Sequence, residues 1–418
     1  MREEIQNEIQ RCLHCNNKPC QTGCPLSNDI PTIIALVKEG KEKEAYETLR
    51  KTTILGSICG RICPHEKQCQ GKCIKGIKQM PIQIGKIEAY LSDKALQEKW
   101  EQEEKRKEEL KGKKVAIIGS GPSGLTCAGF LSREGAQVTI YEKRKQLGGL
   151  LRYGIPEFRL PKKVLDKTIE SILSYDVKIK TEQELGKNLT LEQLKQQYDA
   201  VFLSFGANIS YHMNIPGEEK KGVLGGNELL EIGKHPDYIG KKVAIIGGGN
   251  VAMDCARTIK RMGAEQVEVL YRRSKIEMPA EQKEIALAEQ EGIIFCYQTD
   301  LLAVLGENKV EAIVCGKTEL VEKEGEKRKV PVPVSHSEFK KEVDYVVLAI
   351  GAHPNKELIE SLSLEADKNG YLIVDEKQMT LEKGVFAGGD IIGEKATVAY
   401  AAKSGREAAK TIKEYLLS

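Results

Sequence analysis

The sequence KKVAIIG occurs twice, at 113–119 within KKVAIIGSGPSGL and at 241–247 within KKVAIIGGGNVAMDCA. Each copy is a short apolar run that ends in clustered glycines and passes into a helical pattern. Each is followed by a second apolar run, AQVTIYE after the first and EQVEVLYRR after the second. Strand, glycine turn, helix and second strand, in that order, describe a parallel sheet with crossover helices. The repeat is one of two nucleotide-binding units, not of a short solenoid period. A third segment, KGVFAGGDIIGEKATVAYAAKSGREAAKTI at 383–412, predicts a strand, a turn and a helix.

The two turns differ in chemistry. The first, Gly119-Ser120-Gly121-Pro122-Ser123-Gly124, fits G-x-G-x-x-G. Its glycines let the backbone approach a pyrophosphate at the positive end of the helix. Glu142 closes the next strand, where an acid binds ribose hydroxyls. The alternative is a turn that only packs helix on strand. The second turn reads Gly247-Gly248-Gly249-Asn250-Val251-Ala252, and its next strand ends in Arg272-Arg273. A carboxylate there would repel a 2′-phosphate, whereas guanidinium groups grip one. NADPH is therefore expected, with NADH beside two solvated arginines as the alternative. Two units in this order predict FAD on the first and the nicotinamide cofactor on the second. The second would be inserted between two parts of the first, and Asp390 would return to the flavin's sugar-alcohol chain. The expected class is α/β: a helical amino-terminal iron–sulfur domain and two Rossmann-like domains, a two-dinucleotide-binding flavoprotein fold. The expected divisions are 1–108 for the helical domain, 109–238 and 352–418 for the FAD domain, and 239–351 for the NADPH domain.

Eight of the 12 cysteines lie between Cys12 and Cys73, which sets off the front of the chain as a module. They form C-x2-C-x4-C-x3-C-P from Cys12 to Pro25 and C-x3-C-P-x5-C-x3-C from Cys59 to Cys73. Thiolate tetrads at such spacings suit zinc. Cys24-Pro25 and Cys63-Pro64 also resemble the bacterial ferredoxin run, in which the last cysteine before proline crosses to another cluster. Around these cysteines, IPTIIALVKEGKEKEAYETLRK reads as amphipathic helix. The mixed-charge run EKWEQEEKRKEELKGKK at 98–114 reads as a solvated helix or linker.

From Cys12 to Gly405 the chain resembles the glutamate synthase small-subunit family. The same module forms the amino-terminal half of dihydropyrimidine dehydrogenase and the large subunit of NADH-dependent ferredoxin:NADP oxidoreductase. The resemblance rests on both cysteine groups, PIQIGKIEAY, GSGPSGL, YEKRKQLGGLLRYGIPEFRLP, GGGNVAMDCAR, YRRSKIEMPA and GVFAGGDIIGEKATVAYAAKSGREAA. It implies two [4Fe–4S] clusters, one on Cys12, Cys15, Cys20 and Cys73, the other on Cys24, Cys63, Cys69 and Glu88. Spacing alone does not choose between Cys59 and Glu88. The resemblance also implies FAD contacts from Gly121, Pro122, Ser123, Glu142, Lys143, Gly149, Leu150, Arg159, Gly389, Asp390 and Thr397. For NADPH it implies Gly249, Asn250, Val251, Ala252, Arg272 and Arg273. The stretch FLSFGA at 202–207 departs from relatives, with Ser204-Phe205 where threonine-glycine is common.

Several classes are set aside. A net charge of +3 points to neither nucleic acid nor an anionic membrane. MREEIQNEIQ has no apolar signal core and no apolar run reaches membrane-spanning length, so a cytoplasmic protein is expected. A disulfide reductase needs C-x-x-C beside its flavin, yet Cys127, Cys255, Cys296 and Cys315 stand alone. The expected function is an electron-transfer subunit. It takes hydride from NADPH, and the electrons pass through FAD and the clusters to a larger catalytic subunit that holds the terminal substrate. That partner would be of the glutamate synthase type, or a dihydropyrimidine dehydrogenase or an electron-bifurcating ferredoxin:NADP oxidoreductase. A zinc-scaffolded binding module is the distant alternative.

Overall fold

The structure is a computed structural model that describes residues 3–100, 106–231, 235–326 and 328–418. The chain divides into two compact units, one drawn from Met1–Ala207 and Pro354–Ser418, the other from Asn208–His353.

The first unit is built on a five-stranded sheet. Its order is Val385–Ala387, Ala200–Leu203, Lys114–Ile118, Gln137–Tyr141 and Lys178–Lys180, with every pair parallel. Parallel strands need both faces covered, which explains the unbroken burial of Val115, Ala116, Ile117 and Ile118. The helices Pro122–Arg133 and Val398–Leu417 pack against each other beside this sheet. The third segment of the sequence thus forms the strand, turn and helix expected of it.

In front of the sheet lie the helices Glu3–Gln10, Pro19–Gly23, Ile30–Lys38, Glu42–Arg50, Gly56–Ile62 and Ile84–Glu98. The amphipathic run folds as two of these, parted at Gly40, whose φ of 78° suits glycine. Asp29 caps the first by accepting from the Thr32 amide. The cysteine-bearing helix Gly56–Ile62 shares one apolar core with the sheet, joining Leu55, Ile58 and Ile62 to Val115, Ile117 and Leu125. Polar contacts fasten the same junction. Arg406 Nη1 donates to the Leu26 and Thr52 carbonyls, both at 2.8 Å. Arg50 Nη2 donates to the Tyr175 hydroxyl at 2.7 Å, and Arg133 Nη1 to the Arg50 carbonyl at 3.1 Å.

Residues 101–105 of the mixed-charge run lie outside the described residues. Its far end is solvated at Lys107, Glu108, Glu109 and Lys111 but anchored at two points. Arg106 donates to the carbonyls of Ser132, Gly135 and Ala136, and Leu110 is fully buried in the first core. Alternating charge concealed the one leucine that packs.

The second unit repeats the plan, with the parallel order Val223–Gly225, Tyr345–Leu348, Lys242–Ile246, Gln266–Tyr271 and Ile294–Tyr297. An antiparallel sheet of Thr299–Leu305, Ala312–Val321, Val330–Pro333 and Phe339–Glu342 is added to it. This unit begins at Asn208, ahead of the division expected at 239, because Val223–Gly225 pairs with Tyr345–Leu348 in its sheet. Ile209–Ser210 pairs with Ala352–His353, which carries the unit through His353. Among the described residues no helix is long and apolar enough to cross a membrane.

Candidate redox site

Each glycine turn follows the central strand of its sheet. Gly119 has φ 102° and Gly247 has φ 137°, conformations closed to most side chains. Gly121 and Gly249 are the N-caps of the helices Pro122–Arg133 and Asn250–Arg261, and no side chain caps either helix. Pro122 has no N–H, so the Ser123 and Gly124 amides of the first helix and the first amides of the second keep their donors for a ligand. A Cβ on Gly121 or Gly249 would meet nothing within 4 Å, so the space a pyrophosphate needs is open. A Cβ on Gly124 would lie 2.0 Å from the Gly119 carbonyl oxygen, whereas its counterpart Ala252 is accommodated with full burial.

In the first unit, Glu142 is buried at the end of its strand. Its Oε2 accepts from the Ser120 amide at 3.1 Å and from the Ser120 hydroxyl, and its Oε1 accepts from the Arg144 amide at 2.9 Å. Those bonds fix the carboxylate beside the turn and leave lone pairs for ribose hydroxyls. Gly149 closes on the turn, since a Cβ there would lie 2.8 Å from the Gly121 Cα. Gly389 lies against the Ser123 side chain. Ser123 Oγ and Asp390 Oδ1 are buried and have no hydrogen-bond partner among the described residues. Burial pushes the Asp390 carboxyl up to about 6, with Glu394 adding to the shift. A ligand rich in hydroxyls and phosphate would satisfy both orphaned atoms, so this cradle fits FAD. Leu150 opens a short helix after Gly149, Lys143 is exposed, and Arg159 is half-buried in the turn at 156–160. Ser204, the departure from relatives, donates from Oγ to the carbonyls of Ile118 and Gly119 at 3.0 and 3.1 Å and so braces the turn.

In the second unit, Asn250 Oδ1 accepts from the Glu281 amide at 3.0 Å. Val251 is half-buried behind it. The two arginines separate. Arg272 is exposed; burial raises the nearby Asp300 carboxyl, and the Arg272 charge offsets part of that rise. Arg273 is half-buried, and its Nε donates to the Lys329 carbonyl at 3.0 Å.

The cysteines gather into two groups. Cys12, Cys15, Cys20 and Cys73 line one cavity with Leu13, Lys75 and apolar side chains that include Ile30, Ile34 and Ile82. Burial raises the Cys12 thiol, and Cys73 and Cys15 raise it further against a backbone hydrogen bond. Burial also takes Cys20 up to about 11, with Cys12 and Cys73 again contributing. The second group is Cys24, Cys63 and Cys69 around Glu88. Burial takes Cys24 to about 12 and raises Cys69 well above its ordinary value, with Glu88 the next contributor in both. A hydrogen bond with Cys59 is the leading cause of the rise at Cys63, to which burial and Glu88 add. Burial holds the Glu88 carboxyl up at about 8, and it accepts from Asn28 Nδ2 at 3.4 Å in a small cavity lined by Ile33, Leu49 and Ile87. Cys59 therefore stands beside the second group as well, embedded among Leu55, Ile58 and Ile62. Among the described residues no three His, Cys, Asp or Glu side chains converge closely enough for a single ion. A cubane carries an iron at each ligated corner, so its ligands stand apart. Two sets of four, each dominated by thiols, fit that donor chemistry.

Three residues without a role in the sequence reading tie these parts together. Ser120 holds Glu142. Gln68, next to the buried Cys69, is buried and donates to Thr397 Oγ1 at 3.5 Å. Thr397 in turn caps the helix Val398–Leu417 through the Tyr400 amide. Arg406 reaches the loops after Cys24 and before Leu55. Its position in GREAA carried the only signal, and nothing in the sequence marked Gln68. The isolated Cys127 and Cys255 are fully buried, and burial raises both thiols well above their ordinary range.

The pyridine nucleotide-disulphide oxidoreductase family matches residues 75–182 and 113–405. The domain described as dihydropyrimidine dehydrogenase domain II, 4Fe-4S cluster, matches residues 1–100. The glutamate synthase [NADPH] small chain of Halomonas elongata is 37% identical over 432 residues, covering 99% of this chain and 91% of that protein. This chain belongs to the glutamate synthase small-chain family, within the pyridine nucleotide-disulphide oxidoreductases. It is an NAD(P)H-dependent oxidoreductase, and its family is one of electron-transferring flavoproteins able to bind FAD and iron–sulfur centres. The family extends beyond one assembly: the NADP(+)-dependent formate dehydrogenase subunit beta of Moorella thermoacetica is 36% identical over 425 residues, covering 95% of this chain and 60% of that one. The fold is that of FprA from Mycobacterium tuberculosis in complex with NADPH, with a TM-score of 0.64 at 21% identity over 73% of this chain and 84% of that one. The two-dinucleotide-binding fold expected from the repeat is thus borne out.

Proposed function

We propose that this chain is the electron-input subunit of a larger oxidoreductase, of the glutamate synthase small-chain type. NADPH binds the second unit, with Arg272 at the 2′-phosphate and the open space at Gly249 receiving the pyrophosphate. FAD binds the first unit on the Gly121 turn, with Glu142 at its ribose and Asp390 and Ser123 at its polar chain. FAD supplies the conversion between two-electron and one-electron chemistry, and two [4Fe–4S] centres supply the one-electron exit. Cys12, Cys15, Cys20 and Cys73 hold one centre. Cys24, Cys63, Cys69 and Glu88 hold the other. Buried apolar side chains, Ile33, Leu49 and Ile87, surround Glu88 of the second group, while the first group lies in an open cavity. The terminal substrate lies on a partner subunit in the cytoplasm.

The observation that carries this reading is the gathering of two thiol groups in the same compact unit as the flavin-type turn, fastened to it by Gln68 and Arg406. A partner other than a glutamate synthase large chain is favoured by one observation, the match of residues 1–100 to a dihydropyrimidine dehydrogenase domain. Chain purified without oxygen should contain one FAD and about eight irons. With NADPH it should reduce small one-electron acceptors, yet form no glutamate and reduce no pyrimidine alone. Iron near four per chain, zinc in place of iron, or full substrate turnover by the chain alone would refute it. Glu88→Ala should cost one centre's iron and leave FAD bound, while Cys59→Ser keeps both centres. The reverse pattern would exchange their roles.

A further inference from the structure

The cavity lined by Cys12, Cys15, Cys20 and Cys73 opens beside an apolar patch that the other described residues leave exposed. Ile74 and Ile77 sit three residues apart in the 3-10 helix Ile74–Ile77, where side chains at that spacing eclipse and share a face. Ile77 is 77% exposed and Met80, one further step along, is 69% exposed. Arg11 donates to the Met80 carbonyl, which brings this loop to the segment carrying Leu13, itself 54% exposed. Clustered apolar side chains at this exposure mark an interaction site. The patch has a basic rim. Residues 65–80 carry Lys67, Lys72, Lys75 and Lys78 against the single acid Glu66. Lys72 and Lys78 are exposed, and Lys75 lines the thiol cavity itself.

The geometry points to this face as the docking site of an electron-carrying protein whose own contact surface is acidic around an apolar centre. The inference rests on the electron-input reading and adds the place and chemistry of the exit. An apolar contact over the first thiol group excludes water, and opposite charge steers the encounter, as small transient redox interfaces require. A second copy of this chain would set the lysine rim against itself, so like charge disfavours that occupant. In balance, one NADPH becomes NADP+ and releases one proton, and its two electrons pass one at a time to the protein docked on this face.

The test uses the cofactor-loaded chain, with a purified acidic [2Fe–2S] ferredoxin as the probe. Binding is measured calorimetrically at low and high salt. Reduction of a neutral quinone by NADPH is followed in parallel. The unsubstituted chain should bind the probe at low salt and lose it at high salt. Lys72→Glu with Lys78→Glu should weaken binding about tenfold or more and flatten its salt dependence. Ile77→Asp with Met80→Asp should abolish binding. Quinone reduction should survive in both variants. Absence of binding by the unsubstituted chain at low salt, or equal binding by the variants, overturns the proposal. So does a concentration-dependent dimer that Ile77→Asp with Met80→Asp dissolves, because that result gives the face to a second copy. Failure of the unsubstituted chain to reduce the quinone instead refutes the electron-input reading, while the binding data still judge the face.

Discussion

Arg406→Met tests whether the cysteine-bearing helices are held to the flavin-type sheet by a specific clamp. Arg406 spends one guanidinium nitrogen on two carbonyls, Leu26 and Thr52, each at 2.8 Å. A hydrogen bond to a charged group contributes about 1.5–3 kcal/mol. The two share a donor atom and the site is half-buried, so the pair should contribute about 3 kcal/mol rather than the full sum. Methionine keeps most of the stem's apolar packing and removes both bonds. Opening of the segment that holds Thr52, Leu55 and Cys59 should then become about 100-fold more frequent. Hydrogen exchange resolved by mass spectrometry reads this directly, as faster exchange of amides in 49–62 in the purified chain. Exchange in the second unit's strand Lys242–Ile246 should not change. Arg406→Lys should fall between the two, because an ammonium can serve one carbonyl well. Equal exchange in 49–62 for wild type and Arg406→Met would show that the shared apolar core alone holds the junction, and the clamp argument would fail.

Three further outcomes are expected. Gly124→Ala forces a methyl to within 2.0 Å of the Gly119 carbonyl and should cost about 1–3 kcal/mol along with most bound flavin, measured by absorbance after desalting. Ala252→Gly at the matching position should cost only about 1 kcal/mol and keep NADPH binding. Arg272→Ala should weaken NADPH about 10- to 100-fold and leave NADH nearly unchanged in fluorescence titrations. Arg273→Ala should act less selectively, since that side chain already serves the Lys329 carbonyl. Asp390 is held up at about 6 from an ordinary 3.8, so the folded chain keeps its proton more tightly than the unfolded chain. Stability attached to this group is therefore complete below 3.8 and is lost as pH rises through about 6. In flavin-free protein Asp390→Asn should match wild type near pH 4 and exceed it by about 2–3 kcal/mol at pH 7, read from urea denaturation. A constant offset across that range would refute the assignment.

The glycine turns were legible because their backbone demands are severe. A φ above 100° at Gly119 and Gly247, and a helix start that must stay open, leave little choice of residue. The partition of the cysteines was not legible from spacing, because Cys73 joins Cys12 only after the chain has reversed through four helices. Glu88 against Cys59 was left open by spacing for the same reason, and the structure sets both beside Cys24 and Cys63. The early start of the second unit was hidden because Val223–Gly225 is three residues long, too short to show alternation. Gln68, Ser120 and Arg406 act between elements distant in sequence, and local pattern carries no trace of such contacts.

The first sheet is closed by Val385–Ala387, which must pair with Ala200–Leu203, while the second unit needs nothing outside Asn208–His353. On the ribosome this order has a cost in time. At about 5–20 residues per second, about 10–40 s separate synthesis of Ala200–Leu203 from arrival of its neighbour. Throughout that interval one edge of the nascent sheet is unpaired and the helix Pro122–Arg133 lacks the helix Val398–Leu417 that covers it. The inserted unit is complete and can fold meanwhile. The flavin-type cradle, which needs Gly389, Asp390 and the closing helix, can close only after those residues are made, so the half-built sheet edge stays open to wrong pairing until then.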